Sequence, residues 1–245
     1  MSESARMWME ITFNVAYLIV VWGLVMAMIR RQPGVPEADK PVTSLFIWAF
    51  ALLALGDTGH VGFRVLAYAG GNLESTITIA GREVGLVGLG ALATAVTVTI
   101  FYVLMLVIWQ RRYDKAYGWF GGLIFAAAAV RLLIMLFPAN EWNSTVPPQP
   151  WSLYRNVPLM IQGLGVAYLI LRDSRQVGDR PFTWIGIMIL LSYAFYIPVI
   201  LFVQQAPMVG MLMIPKTMAY LGIALIAYYS LFRQTAELET AEAAY

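Results

Sequence analysis

The chemistry in this sequence is concentrated in a run whose surroundings are apolar. Residues 55–64 read Leu-Gly-Asp-Thr-Gly-His-Val-Gly-Phe-Arg, so Asp57 and His60 stand three residues apart and His60 and Arg64 four apart. On an α-helix these spacings put all three side chains on one face. An acid beside an imidazole is a proton-transfer pair, because histidine ordinarily titrates at about pH 6.5. A guanidinium beside them offers paired hydrogen bonds to a carboxylate or phosphate. Gly56, Gly59 and Gly62 interleave with the three, and a neighbouring helix can approach closely where side chains are missing.

Other polar groups fall at comparable depth in other apolar stretches. Glu10 and Asn14 enter the first, Glu83 opens the third, and Arg131 lies in the later part of the fourth. Arg155 and Gln162 lie on the fifth, Tyr196 on the sixth, and Lys216 follows Pro215 in the seventh. An ionisable side chain inside a membrane span costs about 2.5–3.5 kcal/mol on insertion scales, so it faces protein or a water-filled space and marks a site. All of these groups belong to one half of the spans, while the other half carries almost none. The expectation is a polar cavity open to one side and closed by apolar side chains beneath. Its cations are Arg64, Arg131, Arg155 and Lys216 and its acids are Glu10, Asp57 and Glu83, so it leans positive. A small anionic or amphipathic ligand fits that balance. Asp57 and Glu83 are expected close to at least two of the four cations. Ion pairing that only holds helices in register is the plainer alternative, although buried pairs are poor stabilisers.

The elements that must position these groups are membrane helices. Of 245 residues, 60% are hydrophobic and 12% charged, against roughly 25% charged in a soluble domain. Apolar runs of about 20 residues, the length needed to cross a bilayer, occur at 8–30, 43–68, 84–109, 118–137, 153–171, 182–204 and 208–232. The predicted fold is therefore all-α, a single seven-helix transmembrane domain over residues 1–233, followed by a short acidic tail at 234–245. Arg30, Arg31, Lys40, Arg111, Arg112, Lys115, Arg172, Arg175, Arg180 and Arg233 flank alternate span ends. The opposite ends hold Arg6, Arg82 and Arg155. Basic loops stay in the cytoplasm, which puts the N-terminus outside and the C-terminus inside a multi-pass protein of the plasma or inner membrane. Trp142 and Trp151 bracket an outer loop as interfacial anchors. Asn143-Ser144-Thr145 is a glycosylation sequon, relevant only in a eukaryotic secretory pathway.

Several functions are excluded. The chain has no cysteine and one histidine, which removes disulfides, thiol nucleophiles and multi-histidine metal sites. A net charge of +2 gives no case for nucleic acid. Asp57-Thr58-Gly59 spells the tripeptide of aspartic proteases, but such enzymes need a second aspartate sharing a proton, and the spans hold no other.

In length, seven spans, outside N-terminus and a lysine in the last helix, the chain resembles the microbial rhodopsins, as do Tyr196 and Pro198 in the sixth span. That resemblance implies retinal held as a Schiff base on Lys216, with Asp57 as a counter-ion. The sequence departs from the family at Leu212, where an aspartate is expected four residues before the lysine, and in the third span, which lacks the family's carboxylate pair. Two other classes remain. One is an enzyme acting on a membrane lipid with Asp57 and His60 as acid and base. The other is a receptor-like protein that binds or senses a small ligand in the outer cavity. The lack of a nucleophile, of an internal repeat and of a polar route to the cytoplasm favours binding.

Overall fold

The computed structural model describes residues 3–142, 144 and 148–233. The acidic tail and most of the sequon lie outside the described residues, as does the side chain of Glu10. Among the described residues there are seven α-helices: α1 (Glu3–Arg31), α2 (Lys40–Ala69), α3 (Leu86–Tyr113), α4 (Gly118–Leu136), α5 (Trp151–Val177), α6 (Arg180–Phe202) and α7 (Met213–Ala227). Each of the seven apolar runs is helical over most of its length.

The helix ends follow local chemistry. Proline opens α2 and α6, where its missing N–H costs nothing. Asp179 caps α6 by accepting from the Phe182 amide at 3.3 Å. Gly178 ends α5 in the left-handed region, φ 73°.

Two details depart from a plain helical reading. Between α2 and α3 the chain forms an antiparallel hairpin, β1 (Thr76–Ile79) and β2 (Arg82–Gly85), with Ile77 opposite Val84. Gly81 at the turn takes φ 77°, a conformation open to glycine without strain. Glu83 therefore sits on a strand, not on α3. The start of the seventh run, Pro207–Leu212, is a 3₁₀ helix, and its end, Tyr228–Arg233, widens to a π-helix.

Successive helices pack against each other, α2 with α3 most extensively; α3 also touches α5, and α1 touches α7. The close approach of α2 and α3 depends on missing side chains. A Cβ at Gly56 would run into the Thr97 side chain, and one at Gly90 would lie 2.8 Å from the His60 Cα. Gly62, expected to share this role, has nothing within 4 Å of a built Cβ.

The core occupies the half of the helices that ends in basic residues. Phe50 meets Phe101 edge-on at 5.6 Å between centroids, and Phe101 meets Tyr220 at 5.5 Å. At the basic end, Arg112 joins two loops, with Nε donating to Asp179 at 3.0 Å and Nη1 to Asp39 at 3.3 Å. Its guanidinium also lies 5.2 Å from the Phe182 ring centroid.

The outer surface of the helices is apolar, with Ile19, Trp48, Leu133 and Leu136 all exposed. Among the described residues, six helices are long and apolar enough to cross a membrane. This is the make-up of a multi-pass membrane protein. The exception is α5, which carries Arg155, Gln162, Arg172, Asp173 and Arg175. Its 27 residues span about 40 Å, enough to cross, but much of its surface packs against α4, α6 and α3 rather than outward.

Candidate functional site

The polar groups meet where α1, α2, α3, α4, α5, α6 and α7 are near the same height. Asp57 is about 25 Å along α2 from its basic end, and Lys216 is about 25 Å from the basic end at Arg233. The core beneath them is the aromatic layer of Phe101, Tyr102, Tyr193 and Tyr220.

Asp57 is half-buried and its Oδ2 accepts from the Tyr17 hydroxyl of α1 at 2.9 Å. One residue on, Thr58 Oγ1 accepts from the Trp22 indole at 3.0 Å, tying the same two helices again. Thr94 of α3 donates to the Gly56 carbonyl at 3.2 Å. The acid is thus set in a polar seam that joins α1, α2 and α3.

Lys216 stands in the first turn of α7, half-buried, with Nζ 4.4 Å from the Tyr196 ring centroid and 5.5 Å from that of Tyr220. Asp57 is within its electrostatic reach. No carboxylate oxygen among the described residues comes within 4.0 Å of Nζ. The ammonium is held by the faces of two aromatic rings, whose negative quadrupole attracts it.

Arg131 of α4 is the deepest cation, only 3% exposed. Among the described residues it makes one hydrogen bond, from Nη1 to Thr99 Oγ1 at 2.9 Å, and its Nε has no partner. A guanidinium carries five N–H donors. Lys216 and Arg155 each lie within its electrostatic reach, so Arg131 has a cation on either hand. Gln162, fully buried, donates from Nε2 to the Thr99 carbonyl at 3.4 Å while its Oε1 is unpartnered. Tyr196 donates to Asn156 Oδ1 at 2.9 Å, which fixes the ring under Lys216.

The expected site is brought together only in part. Asp57, Arg131, Arg155, Gln162, Tyr196 and Lys216 converge. His60 is half-buried and its Nδ1 has no partner; it lies within reach of Arg64 and Lys216 rather than in a hydrogen bond with Asp57, so the acid–base pair read from the spacing is not joined. Glu83 is exposed on β2 and forms no ion pair among the described residues, because the hairpin lifts it off the end of α3. Asn14 is half-buried on α1. Sequence reasoning missed Tyr17 and Thr99. Tyr17 lies three residues after Asn14 and shares its helix face, which was a usable signal. Thr99 sits in an unbroken small-residue stretch and gave none.

Comparison with protein-family models, with curated proteins and with solved structures finds no match. Function has to be read from the side chains alone.

Proposed function

We propose that this chain is a seven-helix membrane receptor or sensor, N-terminus outside, that binds a small anionic or amphipathic ligand between Arg131, Arg155 and Lys216. The observation that carries this reading is Arg131: a buried guanidinium with one neutral hydrogen-bond partner, facing two further cations. Arginine stays charged in proteins, and a buried charge lacking a counter-charge is costly. An anion between the three cations offsets that cost and takes up the free guanidinium donors in charge-assisted bonds. Asp57 is the one described acid near them, and Tyr17 already occupies one of its oxygens. The rings of Tyr196 and Tyr220 give the ligand an apolar wall. The basic helix ends support a cytoplasmic C-terminus, which opens the site to the outside of a plasma or inner membrane.

The test is thermal stability of the detergent-purified chain, titrated at constant ionic strength with benzoate and with its neutral isostere benzamide. A ligand that binds only the folded state adds about 2.7 kcal/mol at a hundredfold excess over its dissociation constant. Benzoate should raise Tm and benzamide should not; equal responses, or none to either, would sink the reading.

A second reading rests on Lys216, whose ammonium touches aromatic faces and no carboxylate. Here the lysine anchors an aldehyde such as retinal, with Asp57 as the opposing charge. Visible absorbance of the purified chain, bleached by hydroxylamine and abolished in Lys216→Ala, separates this reading from reversible anion binding.

A further inference from the structure

A different part of the molecule, far from Lys216, carries its own binding geometry. Tyr168 and Arg172 are four residues apart on α5 and form a ridge on its outer face, with the guanidinium carbon 5.9 Å from the ring centroid. A groove runs along each side of this ridge. One, about 370 Å³, is lined by Leu164, Tyr168, Leu171, Arg172 and Arg175 of α5 and Leu190 of α6. The other, about 450 Å³, lies between α5 and Trp119 and Phe120 of α4. Both contain Tyr168 and Arg172, so the two grooves converge on one arginine. Leu164, Tyr168, Leu190 and Trp119 are exposed, Trp119 to 81%.

Three physical features define what fits. The first is depth: from Leu164 to Arg175 is about 16 Å of helix, roughly half of a 30 Å hydrocarbon core, hence one leaflet. The second is charge. Asp173 takes Nε and Nη2 of Arg172 at 3.0 and 2.7 Å and is itself fixed by the Trp109 indole at 2.8 Å. That leaves Nη1 of Arg172 outside the pair, and Arg175, one turn on, has no ion pair among the described residues. The mouth of the first groove, which Arg175 also lines, is therefore net positive. The third is the pair of aromatics, Trp119 and Tyr168, at the level where such rings favour the lipid–water interface.

We infer that the Tyr168–Arg172 ridge is a binding site for a two-chain anionic phospholipid of the leaflet at the basic helix ends. One acyl chain lies in each groove, and the headgroup phosphate meets Arg172 and Arg175. Basic pockets between membrane helices recognise anionic headgroups in this way. The inference rests on the membrane-spanning reading of α4–α6 and is independent of any ligand at Lys216.

The experiment is native mass spectrometry of the full chain, released from detergent after exposure to equal amounts of phosphatidylglycerol and phosphatidylcholine. The chain should retain one phosphatidylglycerol in preference to phosphatidylcholine. In Arg172→Gln with Arg175→Gln that preference should fall roughly tenfold or more, as expected for two arginines near an anionic surface. Leu190→Trp, which keeps both charges and fills one groove, should weaken retention of both lipids, and it decides the matter if the double variant does not fold. Arg30→Gln with Arg31→Gln should bind as the parent does. No preference in the parent, or unchanged retention in Leu190→Trp, overturns the site. So does a dimer that Leu190→Trp dissociates, since a second copy would then be the occupant.

Discussion

Arg131 and Thr99 form a hydrogen bond of 2.9 Å in which a fully buried cation meets a hydroxyl instead of a carboxylate. A structural arginine at this depth would be expected to pair with an acid, because truncating one partner of a buried pair leaves an uncompensated charge worth about 3–5 kcal/mol. Here that uncompensated state is the one the sequence encodes. On the proposed reading, an anion bound beside Arg131 offsets this cost.

Replacing Arg131 by methionine, similar in length and neutral, should therefore raise the ligand-free Tm while removing stabilisation by benzoate. The gain should be on the order of 1 kcal/mol or more. Thermal scans with and without benzoate measure both effects in one series. A variant that is less stable than the parent and still responds to benzoate would assign Arg131 a packing role.

On the proposed reading, Asp57 competes with the anionic ligand for Lys216, so Asp57→Asn should tighten benzoate binding by roughly tenfold, the factor that about 1.4 kcal/mol of relieved competition gives. Tyr17→Phe removes the hydroxyl that donates to Asp57 and should cost about 1.5–3 kcal/mol of stability, as for a hydrogen bond to a charged group. Its effect on benzoate should be opposite in sign, because an Asp57 freed from Tyr17 turns more fully toward Lys216. Isothermal titration of the two variants checks the pair of signs, and a shared sign refutes the competition.

The glycines of α2 and α3 give a prediction with an internal control. Gly90→Ala puts a methyl 2.8 Å from the His60 backbone, where neither helix can give way by a rotamer change. Overpacking of this kind costs about 1–3 kcal/mol. Gly62→Ala meets nothing within 4 Å and gains helix propensity, so it should be neutral or slightly stabilising. Denaturation of the two alanine variants should separate them; equal loss would mean that the α2–α3 approach is not set by Gly90.

These examples also mark how far the sequence could be read. The helices were legible because spans announce themselves by length and hydropathy, and the depth of Asp57 and Lys216 followed from counting residues. What failed was pairing. Asp57 and His60 satisfied the i, i+3 spacing, but the Asn14 face that carries Tyr17 does not say which helix it meets, and the Tyr17 hydroxyl reaches Asp57 from forty residues away. Glu83 was misplaced because hydropathy alone marked the start of the third span, whereas the four β-branched residues Thr76–Ile79 with Gly81 after them signal the hairpin that forms. The lipid-facing ridge was invisible, since Tyr168 and Arg172 gain meaning only from the grooves that α4 and α6 leave beside them.

The proposed outward opening of the site depends on topology, and the absence of cysteine makes this directly measurable. Ile77 lies on β1 and Ala116 in the connection between α3 and α4, both exposed, and one membrane helix, α3, separates them. In the proposed orientation, Arg111, Arg112 and Lys115 beside Ala116 place that end in the cytoplasm. A membrane-impermeant maleimide added to intact cells should label Ile77→Cys and leave Ala116→Cys unlabelled until the cells are permeabilised. The converse pattern would invert the chain and turn the Lys216 site toward the cytoplasm. Labelling of both from outside would mean that α3 does not cross, and the shared depth of Asp57 and Lys216 would lose its significance.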